Sequence, residues 1–429
     1  MTGCRWKILA LVFAATTINY LDRTVLGVLA PVLQYKVFHW TDETYATVTI
    51  AFQAAYAIGL VGMGAVLDRF GTRAGYALSI ALWSLFDFLH AAIRPARSAV
   101  TFPLVRFGFG LVQAGTYPAG VKAVAEWFPR KERALATGIF NAGSNMGAVL
   151  APLFVAWAVS VSDGAHWQWA FLGTGTLSAF CAVAWWQWYR RPAEMSGVSA
   201  SERLHIESDG STDRPAERIR WRAILPQPET WAFAVGKTTD IAWWFYTFWV
   251  GKFLFDQYGL GVRALAAPLA AIFIAADAGS IGGGWLSTHF LKRGWSLNAA
   301  RKSTLLLCAL LALPVGLATY VGSCWIAVAL IALAAAAHQA WSATIFTFVS
   351  DVFPNQAVAS VAGVGGMVGA LAGILANLFL GKALSSHGTG GYSYMFLAAG
   401  GSYLAALGVM QILSPRLAPV DLATGLGAS

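Results

Sequence analysis

The chain has 429 residues, of which 57% are hydrophobic and only 11% charged. Soluble domains carry about 25% charged residues, so a water-facing surface of this size, and with it a soluble enzyme, is excluded. The net charge of +9 is not gathered into a stripe or tail, which argues against a nucleic-acid partner.

In chain order, twelve apolar runs cover 8–33, 45–67, 74–93, 99–122, 135–158, 168–189, 230–255, 264–287, 303–321, 324–347, 358–382 and 393–413. They last about 20 residues, the length of a bilayer-spanning helix and twice that of a barrel strand. Helices satisfy their own backbone hydrogen bonds in lipid, so each run is predicted as a transmembrane helix. The first run lacks a small-residue cleavage site and is read as a spanning helix, not a signal peptide. The stretch 190–229 is polar, charged and rich in Ser and Pro. The predicted fold is therefore an all-α integral membrane protein of twelve helices in two six-helix halves, 1–189 and 230–429, joined by a linker at 190–229. The four cysteines, Cys4, Cys181, Cys308 and Cys324, have no metal-ligand spacing. No metal and no cofactor is expected.

Most of the 29 Lys and Arg fall in loops that share a side with both termini. The positive-inside rule then puts both termini in the cytoplasm. The two halves echo each other, since GAVLDRFGTR (64–73) follows the second run and GGGWLSTHFLKRG (282–294) the eighth. A parallel repeat of this kind places substrate near the midplane between halves.

Embedded charges are costly in lipid and mark cavities or partners. In the first run, INYLDR ends with Asp22 and Arg23. Adjacent residues point about 100° apart on a helix, so each is free to meet a different partner. Asp22 can gain or lose a proton; Arg23 stays charged and can fork onto a carboxylate. In the fourth run Arg106, Gln113 and Tyr117 recur at helical spacing and are predicted to share one polar, cationic face. GAVLDRFGTR supplies Gly64, Asp68, Arg69 and Arg73, read as a gating clamp on the ends of neighbouring helices, with Arg133 of PRKER in the same network. In the fifth run Asn141, Ser144 and Asn145 offer amides and a hydroxyl suited to the hydroxyls of a sugar-like ligand, or to interhelical hydrogen bonds. Lys237 and Asp240 can pair on one face. The aromatic run that follows is expected to send one or two rings, Trp244 and Tyr246 among them, into a cavity. In the tenth run His338, Gln339 and Trp341 are candidate ligand contacts. Asp351 is assigned to the gate. Asp87 and Asp277 are also embedded, and their residue patterns assign them no role.

These residues carry a resemblance. GAVLDRFGTR resembles the signature after the second helix of the major facilitator superfamily. INYLDR, the stretch 106–152 and AHQAWSATIFTFVSDVFP (337–354) are similar to the anion:cation symporter family, and within it to bacterial hexuronate transporters. The resemblance implies proton-coupled import of a sugar acid such as galacturonate or glucuronate by alternating access. It implies a multi-pass protein of the bacterial inner membrane, acting as a monomer, with protons and a carboxylate sugar as partners. It makes Asp22 the proton-coupling aspartate and places Arg23 and Arg106 around the substrate carboxylate. Tyr56 falls at a substrate-contacting tyrosine and Ser144 at a polar contact. One departure stands out: relatives usually carry Glu seven residues after the fourth-helix arginine, and here that position is Gln113. Gln cannot titrate, so a facilitator or exchanger of sugar acids or other organic anions is the alternative.

Overall fold

The structure, a computed structural model, describes residues 3–161, 166–207, 221–353 and 355–420. Helix α1 (Cys4–Val32) runs into a π-turn at Leu33–Val37. Helix α2 (Asp42–Ala91) takes in the second and third apolar runs, broken where Gly71 adopts φ 79°, ψ 164°. There follow α3 (Ser98–Gln113), α4 (Thr116–Trp127), α5 (Arg130–Val161), α6 (Gln168–Trp188), α7 (Ala200–Glu207) and α8 (Trp221–Ile224). The chain continues with α9 (Pro228–Lys237), α10 (Asp240–Phe248), α11 (Val250–Tyr258) and α12 (Val262–Lys292). It ends with α13 (Leu297–Ala312), α14 (Cys324–Val352), α15 (Asn355–His387) and α16 (Gly391–Leu413). The described residues form no strand.

Each of the twelve apolar runs is helical, but two are interrupted. The fourth breaks between α3 and α4, where the amide of Gly115 turns back to Val112 O at 3.2 Å. The seventh breaks after Lys237, where the hydroxyls of Thr238 and Thr239 bond to Val235 O and Gly236 O at 2.7 and 2.9 Å. Such local side-chain bonds compete with the helical ladder. It is interrupted again at Trp249, between α10 and α11, where φ widens to −118°. Among the described residues, seven stretches are long and apolar enough to cross a membrane. Large apolar side chains such as Ile281 and Ile412 point outward, 76% and 79% exposed, as a lipid-facing surface requires.

The described residues divide into two compact units, one within 1–214 with 260–270, the other within 215–259 with 271–429. In the first, α1 packs along α5 and the halves of α2 pack on α3 and α6. The α1–α5 approach depends on Gly147, where an added Cβ would lie 2.2 Å from Thr17 O. Wholly buried Trp83, Trp127, Trp185 and Tyr76 fill this core. In the second unit, α9 packs on α15 and α16, and α13 on α14 and α16. Trp249, Trp341 and Tyr403 are its large buried rings.

The described part of the 190–229 stretch is more than a tether. Glu202 is buried and accepts the amides of Cys4 and Arg5 at 3.3 and 3.1 Å. A carboxylate there satisfies orphan donors at the start of α1 and meets the positive end of its dipole. Glu132 ties α5 to the same place, pairing with Arg5 and His205 at 2.9 Å each.

Candidate functional site

The polar interior of the first unit is built from α1, α2, α3 and α6. The sequence N-Y-L-D-R turns Asn19 and Arg23 to one side of α1 and Asp22 to another. Asn19 Nδ2 donates to Thr116 Oγ1 at 2.7 Å, while Gln113 Nε2 donates to Asn19 O at 2.9 Å. Arg23 Nε donates to Gln113 Oε1 at 3.2 Å and its Nη2 to Asn19 Oδ1 at 3.4 Å. Its guanidinium lies over the rings of Tyr20, Tyr56 and Phe52, at 4.4, 4.5 and 5.3 Å. Arg23 is itself buried, 5% exposed, and the Tyr20 and Tyr56 beside it are half-buried. An arginine positioned by an amide and flanked by aromatic faces is a fixed fork for a carboxylate.

Arg106 stands behind Arg23. It is 0% exposed, donates from Nη2 to Arg23 O at 2.9 Å and lies 4.8 Å from the ring centres of Phe52 and Phe109. Its Nε and Nη1 have no hydrogen-bond partner among the described residues. In this conformation protein encloses it completely. Asp22 is also 0% exposed. It accepts from Ser178 Oγ at 2.7 Å through one oxygen, and the other has no partner among the described residues. The reading that Asp22 and Arg23 meet different partners holds in this geometry.

The other candidates in this unit are scattered. Tyr117, past the turn at 114–115, is half exposed and packs on Phe140, and it interacts electrostatically with Tyr20 and Tyr56. Ser144 donates to Asn141 O at 2.6 Å, which engages its one proton locally; Asn141 is exposed and Asn145 half-buried. Arg73 donates to Trp186 O at 3.0 and 2.8 Å and stacks on the Trp186 ring at 4.4 Å. Arg69 is exposed, over Phe70. The side chains of Gly64, Asp68 and Arg133 lie outside the described residues. A groove of about 790 Å³ lined by Lys7, Leu11, Trp188, Arg190 and others does not include Arg23 or Asp22.

In the second unit, Lys237 and Asp240 pair at 2.6 Å across the first break. His338 Nδ1 lies 2.8 Å from Tyr403 Oη and its ring stacks on Trp243. Trp341 donates to Gly236 O at 3.0 Å, and Tyr246 is 1% exposed. In this conformation these three are enclosed within their own unit. Trp244 and Gln339 remain half-buried. Asp351 accepts from Arg301 Nε at 2.8 Å, an ion pair its sequence position did not reveal. Lys252 is buried and paired with Asp256, which also accepts from Tyr392 at 2.8 Å.

The residues that motif reading missed are Asn19, Tyr20, Ser178 and Asp87. Asp87 had a signal, a charge inside an apolar run, but the residues around it come from other helices.

Comparison with known proteins fixes the family. The model for the Major Facilitator Superfamily matches residues 12–377. The chain belongs to the Major Facilitator Superfamily. This superfamily member is thus a multi-pass membrane transporter and not an enzyme. It is 33% identical to the hexuronate transporter of Escherichia coli K12 over 88% of its length and 87% of the relative's. It is 35% identical to the galacturonate transporter of Dickeya chrysanthemi over 78% of its length and 96% of the relative's. In fold it resembles a bacterial homologue of the human lysosomal transporter Spinster, with TM-score 0.76 and 19% identity over 96% and 97% of the two chains. The E. coli xylose transporter gives TM-score 0.72 and 13% identity over 94% and 95%.

Proposed function

We propose that this transporter imports a hexuronate-type sugar acid by proton symport and alternating access. The observation that carries the reading is Arg23, a guanidinium oriented by Gln113 and flanked by half-buried Tyr20 and Tyr56, one residue from the wholly buried Asp22. The arginine suits a carboxylate, the tyrosines suit a sugar ring edged with hydroxyls, and the buried carboxylate suits a proton. The names of the similar hexuronate and galacturonate transporters support the substrate class. In this reading the functional molecule is a monomer in the bacterial inner membrane. Residues 1–189 and 230–429 are its two six-helix halves, 190–229 is the cytoplasmic linker and both termini are cytoplasmic. Tyr56 and Arg23 contact substrate, with Trp244 and Gln339 as further contacts, and Arg69 and Arg73 belong to the gate.

Gln113 favours a second reading, a proton-independent facilitator or exchanger of sugar acids or other organic anions, since an amide carries no proton through the cycle. Uptake of labelled galacturonate into proteoliposomes separates the two. Symport gives accumulation above equilibrium only with an inward proton gradient. Equilibration that ignores the gradient selects the facilitator, and no uptake of galacturonate reopens the substrate class.

A further inference from the structure

Asp87 is the least satisfied charged group of the first unit. It lies on α2, beyond the Gly71 break, and is 0% exposed. Neither of its carboxylate oxygens has a hydrogen-bond partner among the described residues. The base of its side chain lies close against α6, where a Cβ at Gly175 would lie 3.0 Å from Asp87 Cβ. Ser84, one turn before it, donates to Gly175 O at 2.8 Å and holds the two helices together. The carboxylate therefore cannot be relieved by a small shift towards solvent.

The titratable and charged groups around it come from four helices. Asp22 faces it from α1 and Arg106 from α3, and both interact with it electrostatically. Tyr45, at the start of α2, and Arg23 on α1 join the same field through Arg106. His90, one turn along α2, turns its Nδ1 to Phe86 O at 2.6 Å. Cys181 on α6 faces Asp22. Among the described residues no cationic nitrogen lies within ion-pair distance, 4.0 Å, of Asp22 or Asp87.

An ionised carboxylate buried without ion pair or hydrogen bond is strongly disfavoured; a proton removes the charge. Asp22 and Asp87, both buried without an ion pair among the described residues, repel each other when both are ionised, which strengthens the case. Arg106 completes the arrangement, because its Nε and Nη1 are buried and unpartnered. They are the donors that can receive a carboxylate once its proton has left.

We infer that Asp87 is a second proton-carrying site of this transporter, alternating with Asp22 between a protonated buried form and an ionised form paired with Arg106. A proton arriving from outside forms an O–H bond on an Asp87 oxygen. That bond breaks on the inward side, and the proton is released as the carboxylate turns to Arg106. Gln113 then costs the molecule no titratable site, since the second carboxylate sits on α2. This rests on the symport reading above and adds the stoichiometry: two protons accompany each sugar-acid monoanion, so each cycle carries one net positive charge inward.

The test uses the full chain in proteoliposomes, with wild type and Asp87→Asn compared by three readouts. Infrared difference spectra between acid and alkaline buffer, taken without substrate, are expected to show a carboxylic-acid C=O band in wild type that Asp87→Asn loses in part. Galacturonate counterflow is expected to continue in both, which shows that the variant is folded. Gradient-driven accumulation is expected to respond to a potassium–valinomycin potential in wild type, about 50-fold per 100 mV for one net charge, and to lose that response in Asp87→Asn. An infrared band untouched by Asp87→Asn overturns the proposal. So does wild-type symport indifferent to potential, whatever the variant does, and so does a variant that keeps the full response. If wild type exchanges no galacturonate, the substrate reading falls, and the infrared comparison still decides for or against Asp87.

Discussion

Two arginines that look alike in the sequence divide their work by burial. Arg23, 5% exposed, lies against the half-buried Tyr20 and Tyr56, whereas Arg106 is 0% exposed and interacts with Asp87 and Asp22. Their substitutions should therefore fail differently. Arg23→Lys keeps the charge but loses the fork and the flat face that stacks on tyrosine. A lost charge-assisted hydrogen bond is worth about 1.5–3 kcal/mol, so KM for galacturonate counterflow should rise roughly 10- to 100-fold. Arg106→Leu removes a buried cation while keeping most of its bulk, and leaves Asp22 and Asp87 without it when they ionise. Counterflow should persist near the wild-type KM while gradient-driven accumulation is lost, because the ionised aspartates no longer have their counter-ion. Equal losses of counterflow in the two variants would return Arg106 to the substrate site. Asp22 and Arg23 were readable as candidates because a charge within an apolar run has few explanations. The division of labour between the arginines was not, since it depends on which side chain lies behind the other.

The helices themselves were legible for the same reason that lipid imposes them: a run of about 20 apolar residues has no other stable use. Their interruptions were not. The breaks at 114–115 and 238–239 arise from a tightened turn and two threonine back-bonds, and either sequence could have continued as helix. Helix contact is decided at equally small features. At Gly147 the backbone of α5 comes so close to α1 that a single methyl would meet Thr17 O at 2.2 Å. A backbone carbonyl cannot rotate aside as a flexible side-chain end can, so Gly147→Ala must part the two helices. Overpacking of this kind costs typically 1–3 kcal/mol. The variant should melt below wild type in detergent, and since α1 carries Asn19, Asp22 and Arg23, its counterflow should fall as well. An unchanged melting temperature would show that α5 can slide along α1 without strain.

At the scale of the whole molecule the two units repeat one packing scheme. In the first, Gly59 of α2 approaches Leu111 O of α3, and Gly147 of α5 approaches α1. In the second, Gly279 of α12 approaches Ala336 O of α14, and Gly369 of α15 approaches Lys237 O of α9. Counting apolar runs from the start of each half, these are the same pairs, second with fourth and fifth with first. The proposed arrangement of two like halves with parallel topology predicts an even number of crossings in each, with the linker and both termini on one side of the membrane. The surplus of Lys and Arg in the loops on that side makes it the cytoplasm. The prediction is open to direct measurement. With the four native cysteines replaced by Ser, Ser199→Cys in the linker should react with a membrane-impermeant maleimide only in inverted vesicles. Thr389→Cys, between α15 and α16, should react only from the outside of intact cells. Reaction of both from one side would break the parity of the second half; exchange of the two sides would keep the parity and reverse the orientation, leaving the packing repeat intact but putting Glu202 and the start of α1 on the outer face.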